Sequence, residues 1–253
     1  MSAKLRKTLR TLAVVLFWLL IWQLAAALAG QELLLPSPLR VARELIRLAC
    51  GAEFWLTVAQ SIRRVLTGIV SAVLLGILLA LLTHKSAVLR ALLSPVMTLV
   101  KSTPVASFII LALVWLGRDV VPPVIAALMV LPVVWANVSQ GLDGIDPQLL
   151  ELAQVCRLPR GRVFRRITLP SVLPHLRAAL CSALGLGWKA GVAAEILTVP
   201  ARSIGKRIYE AKIYLETTEL FAWTAAVVLL SLIIEGLLLR LVGRIGKKGG
   251  AHA

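Results

Sequence analysis

The side chains most able to bind a solute or take part in chemistry are charged groups that lie inside long apolar runs. Burying a charge in hydrocarbon is costly unless it faces a polar interior, so such residues mark either a solute pathway or an internal ion pair. With a rise of 1.5 Å per residue, one of them falls near the middle of its run and four fall in the outer half. The first is Lys101, and the others are Arg63, Arg64, Lys189 and Glu195.

These five residues carry four positive charges and one negative charge, an excess that suits an anionic solute. Pro104, just after Lys101, predicts a kinked helix, and such breaks are tolerated where the backbone lines a cavity. The candidate translocation residues are Arg63, Arg64, Lys101, Ser102, Thr103, Lys189 and Glu195. An alternative stays open, in which Lys189 pairs with Glu195, or Arg63 with an acid of an outer loop, in a purely structural role.

Residues that could catalyse a reaction do not cluster in the sequence. It contains 3 His and 12 acidic residues, without paired carboxylates or the spacing of a metal site. The segment 243–248 superficially resembles a phosphate-binding loop but lacks the spacing and the Ser or Thr of that motif. We therefore predict no catalytic residues, no metal and no cofactor, and we expect any ATP hydrolysis to belong to a separate protein.

A second candidate site is the polar segment 144–170. Asp146 and Pro147 have the residue types of a helix N-cap and first helical position, and the helix is predicted to end near Leu158, before a proline. A second short helix is predicted over 162–167, closed by 168–170. Apolar residues and five arginines in such a hairpin indicate docking to a protein partner, although contact with anionic lipid headgroups is an alternative.

The elements that position these residues are membrane spans, because 59% of the chain is hydrophobic and the mean hydropathy is +0.88. A spanning helix needs about 20 mostly apolar residues. Six runs meet this requirement, at Leu12–Ala29, Leu66–Leu82 with a start near Trp55, Val96–Leu116, Val120–Val138, Leu176–Leu197 and Leu220–Leu239. A short amphipathic surface helix is predicted after Pro38. The segment 11–245 forms one transmembrane domain, between an arm at 1–10 and a tail at 246–253.

The net charge of +16 is distributed in blocks between the apolar runs. Four basic residues lie in the first ten positions, six lie between Arg157 and Arg177, and four lie from Arg240 onwards. Alternation of basic blocks with spans follows the positive-inside rule and differs from a continuous basic face, so we exclude nucleic acid as a partner. Both termini are predicted to be cytoplasmic, in a multi-pass protein of the cell (inner) membrane.

The first run is preceded by basic residues, a pattern that a cleavable signal peptide shares. Its 18 residues exceed the roughly 7–15 of a signal core. We interpret it as an uncleaved membrane anchor.

The hairpin resembles the EAA loop of binding-protein-dependent ABC importer permeases, whose pattern is Glu-Ala-Ala, three residues, Gly, nine residues, and Ile-any-Leu-Pro. Five positions match: Glu151, Ala153, Ile167, Leu169 and Pro170. Leu152 replaces an Ala, and Arg157 stands at the Gly position, so we expect Gly161 to take over part of the turn. The segments 61–68, 101–104 and 187–195 resemble the nitrate, aliphatic sulfonate and taurine branch of these permeases.

This resemblance implies an all-α polytopic membrane protein with about six transmembrane helices and the type I ABC importer permease (MetI-like) fold. It implies that the hairpin contacts a cytoplasmic ABC ATPase, that an extracytoplasmic binding protein delivers the solute, and that a second copy completes a homodimer. The predicted ATPase-coupling residues are Glu151, Ala153, Arg157, Arg160, Gly161, Arg162, Phe164, Ile167, Leu169 and Pro170. An ion-coupled secondary transporter is the alternative, but the inverted repeats expected for one are not evident.

Overall fold

The computed structural model describes residues 3–31 and 33–247, and within these residues the chain is helical and contains no strand. Residues 248–253, most of the predicted tail, lie outside this range. The helices are α1 (Ala3–Ala29), α2 (Pro38–Ala49), α3 (Ala52–Lys85), α4 (Ala87–Ser102), α5 (Val105–Trp115), α6 (Val121–Asp143), α7 (Pro147–Val155), α8 (Arg160–Val163), α9 (Leu169–Thr198), α10 (Ile204–Ile213) and α11 (Thr217–Lys247). A π-helical turn, Phe164–Thr168, joins α8 to α9.

Five helical segments are long and apolar enough to cross a membrane: Leu9–Ala29, Ala52–Lys85, Val121–Asp143, Arg160–Thr198 and Thr217–Leu237. The third predicted run, Val96–Leu116, is split into α4 and α5, which are bent by 107° relative to each other. The break falls at Thr103, whose backbone is extended because the following Pro104 disfavours helical geometry. The predicted kink is therefore confirmed, but it is sharper than a bend within one continuous helix.

The core of the molecule is the contact between α3, α6 and α9. Helices α3 and α9 run antiparallel and meet at residues spaced by four on both: Ser61 with Glu195, Val65 with Gly191 and Ile69 with Gly187. Small residues let the helices approach closely, as is typical of packing within membranes. The segments 61–68 and 187–195, noted above for their resemblance, thus lie against each other.

Helices α3 and α6 run parallel and are also in close contact. A Cβ on Gly68 would lie 2.1 Å from the carbonyl oxygen of Pro123, and one on Gly76 would lie 2.9 Å from Val134 Cβ. Near the C-terminal end of α3, the indole of Trp135 donates a hydrogen bond of 3.1 Å to the buried hydroxyl of Thr83. These contacts fix the three core helices relative to one another, and so fix the residues that they carry.

Helices α1, α2 and α11 pack around this core. Trp223 of α11 stacks on Phe54 of α3 with ring centroids 4.9 Å apart. The indole of Trp22 in α1 donates to the carbonyl of Pro36 at 3.1 Å, at the entrance to α2. The helix α2 matches the short amphipathic helix that was predicted after Pro38. Most of α1 stays exposed, as expected for a helix that faces lipid or another chain.

The sequence predicted that residues 168–170 end the second hairpin helix before the fifth span begins. This prediction is wrong. The second hairpin helix continues through the π-helical turn directly into α9, so one segment of 39 residues runs from Arg160 to Thr198. Pro170 lies in the first turn of α9, where the missing N–H of a proline is tolerated, and Pro174 lies inside the helix. The hairpin is therefore continuous with a core helix.

Candidate functional site

The base of the hairpin is anchored at one end of the bundle. Asp143, the last residue of α6, accepts a hydrogen bond of 2.6 Å from Arg90 of α4. Its other carboxylate oxygen lies 3.3 Å from Nδ1 of His84 in α3. One carboxylate thereby ties three helices together immediately before the hairpin begins.

The first hairpin helix, α7, starts as the sequence predicts. The Asp146 carboxylate accepts a hydrogen bond of 2.9 Å from the backbone N–H of Gln148, and Pro147 occupies the first helical position. Glu151 is exposed, whereas Ala153 is buried. Helix α7 therefore presents a charged surface while its small residue faces inward.

The turn after α7 is formed by Arg157, in the left-handed region at φ 46°. The N–H of Leu158 donates to the carbonyl of Ala153 at 2.9 Å, which is the hydrogen bond of a Schellman turn. Gly161 lies inside α8 and is not among the described residues with positive φ. The expectation that Gly161 takes over the turn is wrong, because the chain reverses at Arg157 itself.

Replacing Arg157 with glycine is expected to raise the free energy of unfolding by about 1 kcal/mol. A non-glycine residue pays about 1–2 kcal/mol for a left-handed backbone, and the larger entropy that glycine loses on folding offsets part of the gain. Thermal unfolding in detergent measures the change. Arg162→Gly removes the same charge from a helical position and should lower stability by about 1 kcal/mol. Destabilisation by both variants would show that the backbone at Arg157 is not strained.

The second half of the hairpin carries the remaining predicted coupling residues. In the π-helical turn, Phe164 is 48% exposed and Ile167 is partly buried. The hydroxyl of Ser171 donates to the carbonyl of Ile167 at 2.8 Å, across the junction with α9. Leu169 and Pro170 form the exposed first turn of α9. The residues Ile167 to Pro170 thus lie where the hairpin meets the core helix.

Five arginines of the hairpin are exposed, and within the described part of the chain none of them forms an ion pair: Arg157, Arg160, Arg162, Arg165 and Arg166. The surface is therefore an uncompensated positive patch around exposed apolar side chains. Such a patch is suited to an acidic partner surface or to anionic headgroups.

The charged residues of the spans fall into two groups. Arg64 and Glu195 form a salt bridge of 2.8 Å in which the Glu195 side chain is fully buried and the Arg64 side chain is 12% exposed. Glu195 also accepts hydrogen bonds from the Ser61 hydroxyl at 2.7 Å and from the N–H of Gly205 at 3.3 Å. The alternative in which Glu195 pairs with Lys189 is therefore wrong, because Arg64 is the partner of Glu195.

The same cluster extends to the loops at the end of the bundle away from the hairpin. The second terminal nitrogen of Arg64 donates to Asp119 at 3.0 Å and to the carbonyl of Ala201 at 3.2 Å. The Ser61 hydroxyl accepts from the N–H of Ile204, the first residue of α10, at 2.9 Å. One arginine and one glutamate thus fasten α3, α9, α10 and the loop before α6 together.

The second group lies on exposed surfaces. Arg63 and Lys189 are exposed, and so is Lys101 at the end of α4. The hydroxyls of Ser102 and Thr103 each donate to the carbonyl of Leu99, at 3.1 and 2.8 Å, within the break between α4 and α5. The structure therefore separates the seven candidate pathway residues into a buried structural pair and a set of polar groups that are exposed, apart from the partly buried Thr103.

Sequence reasoning did not single out Ser61 or Asp119 as partners of the buried pair. Ser61 lies eight residues before Ile69 on the buried face of α3. Helical periodicity could therefore have indicated that Ser61 is buried. Asp119 lies in a loop, and nothing in the sequence links it to Arg64. Arg177 was also missed as a buried group, since two of its guanidinium nitrogens are buried without a hydrogen-bond partner among the described residues.

A bundle of apolar spans with a basic hairpin at one end, continuous with a core helix, defines the transmembrane subunit of a transport system. The chain belongs to the family of binding-protein-dependent transport system inner membrane components, whose model matches residues 72–247. The predicted family is confirmed.

Two of the relatives below are named for solutes of the predicted branch, and a third is named for bicarbonate. It is 26% identical over 243 residues to the taurine transport system permease protein TauC of Escherichia coli, covering 93% of this chain and 86% of that one. It is 26% identical over 204 residues to a putative aliphatic sulfonates transport permease protein, SsuC, of Bacillus subtilis, covering 80% and 74%. It is 29% identical over 223 residues to the bicarbonate transport system permease protein CmpB of Synechococcus elongatus, covering 82% and 78%.

A solved structure shares the fold. It is a chain of a bacterial ABC transporter involved in the import of the acidic polysaccharide alginate, with a TM-score of 0.54 and 20% identity. The match covers 96% of this chain and 99% of that chain. The predicted all-α permease fold is thereby confirmed.

Proposed function

We propose that this chain forms the translocation path of an ABC importer for a small anionic solute, as a homodimer with both termini in the cytoplasm. An external binding protein delivers the solute, and two copies of a cytoplasmic ATPase drive transport by moving the hairpins. The observation that carries the proposal is the hairpin 146–170, which is anchored at its base and continuous with α9.

The hairpin has the features required to transmit force from the ATPase. Its first helix exposes Glu151, and its turn and second helix expose arginines, so the docking contact combines both signs of charge with an apolar anchor at Phe164. Because the π-helical turn leads into α9 without a flexible loop, displacement of the hairpin tilts or shifts α9. Helix α9 is packed against α3 and α6 through glycines, which allows movement to reach the whole core.

The charge distribution supports an anionic solute. With Arg64 and Glu195 neutralising each other, the three cations Arg63, Lys101 and Lys189 have no ion-pair partner among the described residues. Lys101 lies at the break between α4 and α5, where irregular backbone is tolerated next to a polar path. Relatives named for taurine, aliphatic sulfonates and bicarbonate point to the same class of solute.

Reversing the charge of Glu151 tests the docking role of the hairpin. We expect Glu151→Arg to abolish co-purification with the co-expressed ABC ATPase of the same importer, and with it ATP-dependent uptake into proteoliposomes. Glu216→Arg makes the same change at an exposed residue of the opposite end and should leave co-purification intact. Equal co-purification of both variants with the ATPase would remove the hairpin as the docking site.

The solute class is tested separately in the assembled transporter. Alkanesulfonates, nitrate and bicarbonate, each presented with the binding protein, are compared for stimulation of ATP hydrolysis, together with taurine, a zwitterion that carries a sulfonate. We expect at least one anion to stimulate hydrolysis several-fold, whereas a neutral amino acid should not. If the assembly hydrolyses ATP but no anion stimulates it, the anionic solute is excluded while the importer class stands. Uptake that follows an ion gradient without ATP would indicate a secondary transporter.

A further inference from the structure

A cavity of about 180 Å³ lies beneath the hairpin, and its exposed wall is entirely apolar. It is enclosed by α3, α6, the π-helical turn and the start of α9. Its lining residues are Ile77, Leu81, Val138, Leu142, Phe164, Thr168, Leu169, Val172 and Leu176. Because no polar atom is exposed on the wall of the cavity, ordered water is disfavoured there and an apolar occupant is favoured.

The cavity lies near the ends of α3 and α6 that lead to the hairpin. Leu81 and Leu142 are four and one residues from the ends of α3 and α6, which places them within about 6 Å of the ends of these spans. Phe164 and Leu169, at 48% and 44% exposure, form part of the wall that is open to the surroundings. An α-helix is about 10 Å wide, so the space is too small for a helix of another chain but suits part of one acyl chain.

The charge around the opening points to the headgroup. Arg165 and Arg166 directly follow Phe164, are exposed, and form no ion pair within the described residues. Guanidinium groups bind phosphate through paired hydrogen bonds. We propose that the cavity and these two arginines form a binding site for one anionic membrane phospholipid, with an acyl chain against Leu176 and the phosphate at Arg165 and Arg166.

This site goes beyond the docking of the ATPase, because a lipid there would contact the joint between the hairpin and α9 from the membrane side. Phe164 belongs both to the cavity wall and to the proposed docking surface. Lipid binding needs no ATPase and is measurable on this chain alone, so its failure is distinguishable from failure of the proposed function.

The test is native mass spectrometry of the purified full-length chain, titrated with dioleoylphosphatidylglycerol or dioleoylphosphatidylcholine. We expect one tightly retained phosphatidylglycerol, with an affinity about tenfold above that for phosphatidylcholine, since the choline group cancels the phosphate charge and each basic side chain near a net anionic headgroup strengthens binding several-fold. The double variant R165Q/R166Q should reduce binding to the level of phosphatidylcholine. The matched double variant R160Q/R162Q, which removes two exposed arginines from the preceding helix α8, should retain the preference.

The proposed contact of an acyl chain with the cavity is tested by a substitution that fills the cavity with a larger side chain. L176W should weaken the binding of both lipids, whereas L186W, at an exposed position of α9, should not. Glycerol 3-phosphate, which has the headgroup phosphate but no acyl chain, should not displace the lipid. Equal phosphatidylglycerol binding by R165Q/R166Q and R160Q/R162Q, unchanged binding by L176W, or displacement by glycerol 3-phosphate overturns the inference. Retention of no phosphatidylglycerol by the unsubstituted chain, which would leave the cavity to a protein partner, also overturns it.

Discussion

Replacing Glu195 with alanine is expected to lower the free energy of unfolding by about 3 kcal/mol, near the lower end of the range for breaking a buried ion pair. The substitution leaves the Arg64 guanidinium, 12% exposed, without its buried counter-ion. It also leaves the Ser61 hydroxyl and the N–H of Gly205 without their carboxylate acceptor. Asp119 and the carbonyl of Ala201 still hold the other nitrogen of Arg64, which keeps the cost from being larger.

Thermal unfolding in detergent measures this change, with Glu53→Ala as the matched control. Glu53 pairs with Arg207 at the same end of the molecule, but its side chain is 70% exposed. Exposed pairs contribute about 0–1 kcal/mol, so this variant should unfold almost as the unsubstituted chain does. The double variant Arg64→Ala, Glu195→Ala should lose less stability than the sum of its single substitutions. A loss of less than about 1 kcal/mol for Glu195→Ala would show that the cluster does not hold the helices together.

Replacing Gly68 with alanine is expected to cost about 1–3 kcal/mol, the usual range for overpacking a close contact. The new Cβ would lie 2.1 Å from the backbone oxygen of Pro123, an atom that cannot move without shifting α6. The helices α3 and α6 would have to separate, and α9 packs on both of them. We therefore expect a loss of transport activity together with the loss of stability.

Gly185 provides the matched control for this prediction. It also lies within a spanning helix, but a Cβ there would meet no atom within 4 Å. Gly185→Ala should raise stability by about 0.5–1 kcal/mol, because alanine loses less backbone entropy in a helix than glycine does. Thermal unfolding of the two variants should therefore change in opposite directions. A decrease of equal size in both would show that backbone entropy, and not the contact with Pro123, is the cause.

The sequence was sufficient to predict elements whose signals are local. Uninterrupted apolar length predicted the spans, because only a helix satisfies the backbone in hydrocarbon. Asp146 and Pro147 predicted the start of α7, because the N-cap hydrogen bond involves residues two positions apart. The EAA pattern indicated the family, which the comparison confirmed. The second hairpin helix was located, but its continuation into α9 through Pro170 was not predicted.

The partners of charged residues could not be predicted from composition. Lys189 and Glu195 are six residues apart, which on a helix of 3.6 residues per turn places them on different faces. Arg64 is 131 residues from Glu195 along the chain, and they meet only because α3 and α9 pack antiparallel through Val65 and Gly191. Whether a charged side chain is paired inside the bundle or lies on an exposed surface follows from this packing.

The sequence by itself determined that the chain is a helical membrane protein, where its spans lie, and which hairpin is a candidate for the ATPase contact. Those properties depend on apolar length, on charges next to spans and on hydrogen bonds between near neighbours. The tertiary structure alone decided that Arg64 and Glu195 form the buried pair, that the run Val96–Leu116 bends by 107°, and that a cavity lies beneath Phe164. These features depend on contacts between helices far apart in sequence, whose geometry is set by the close approach of small residues.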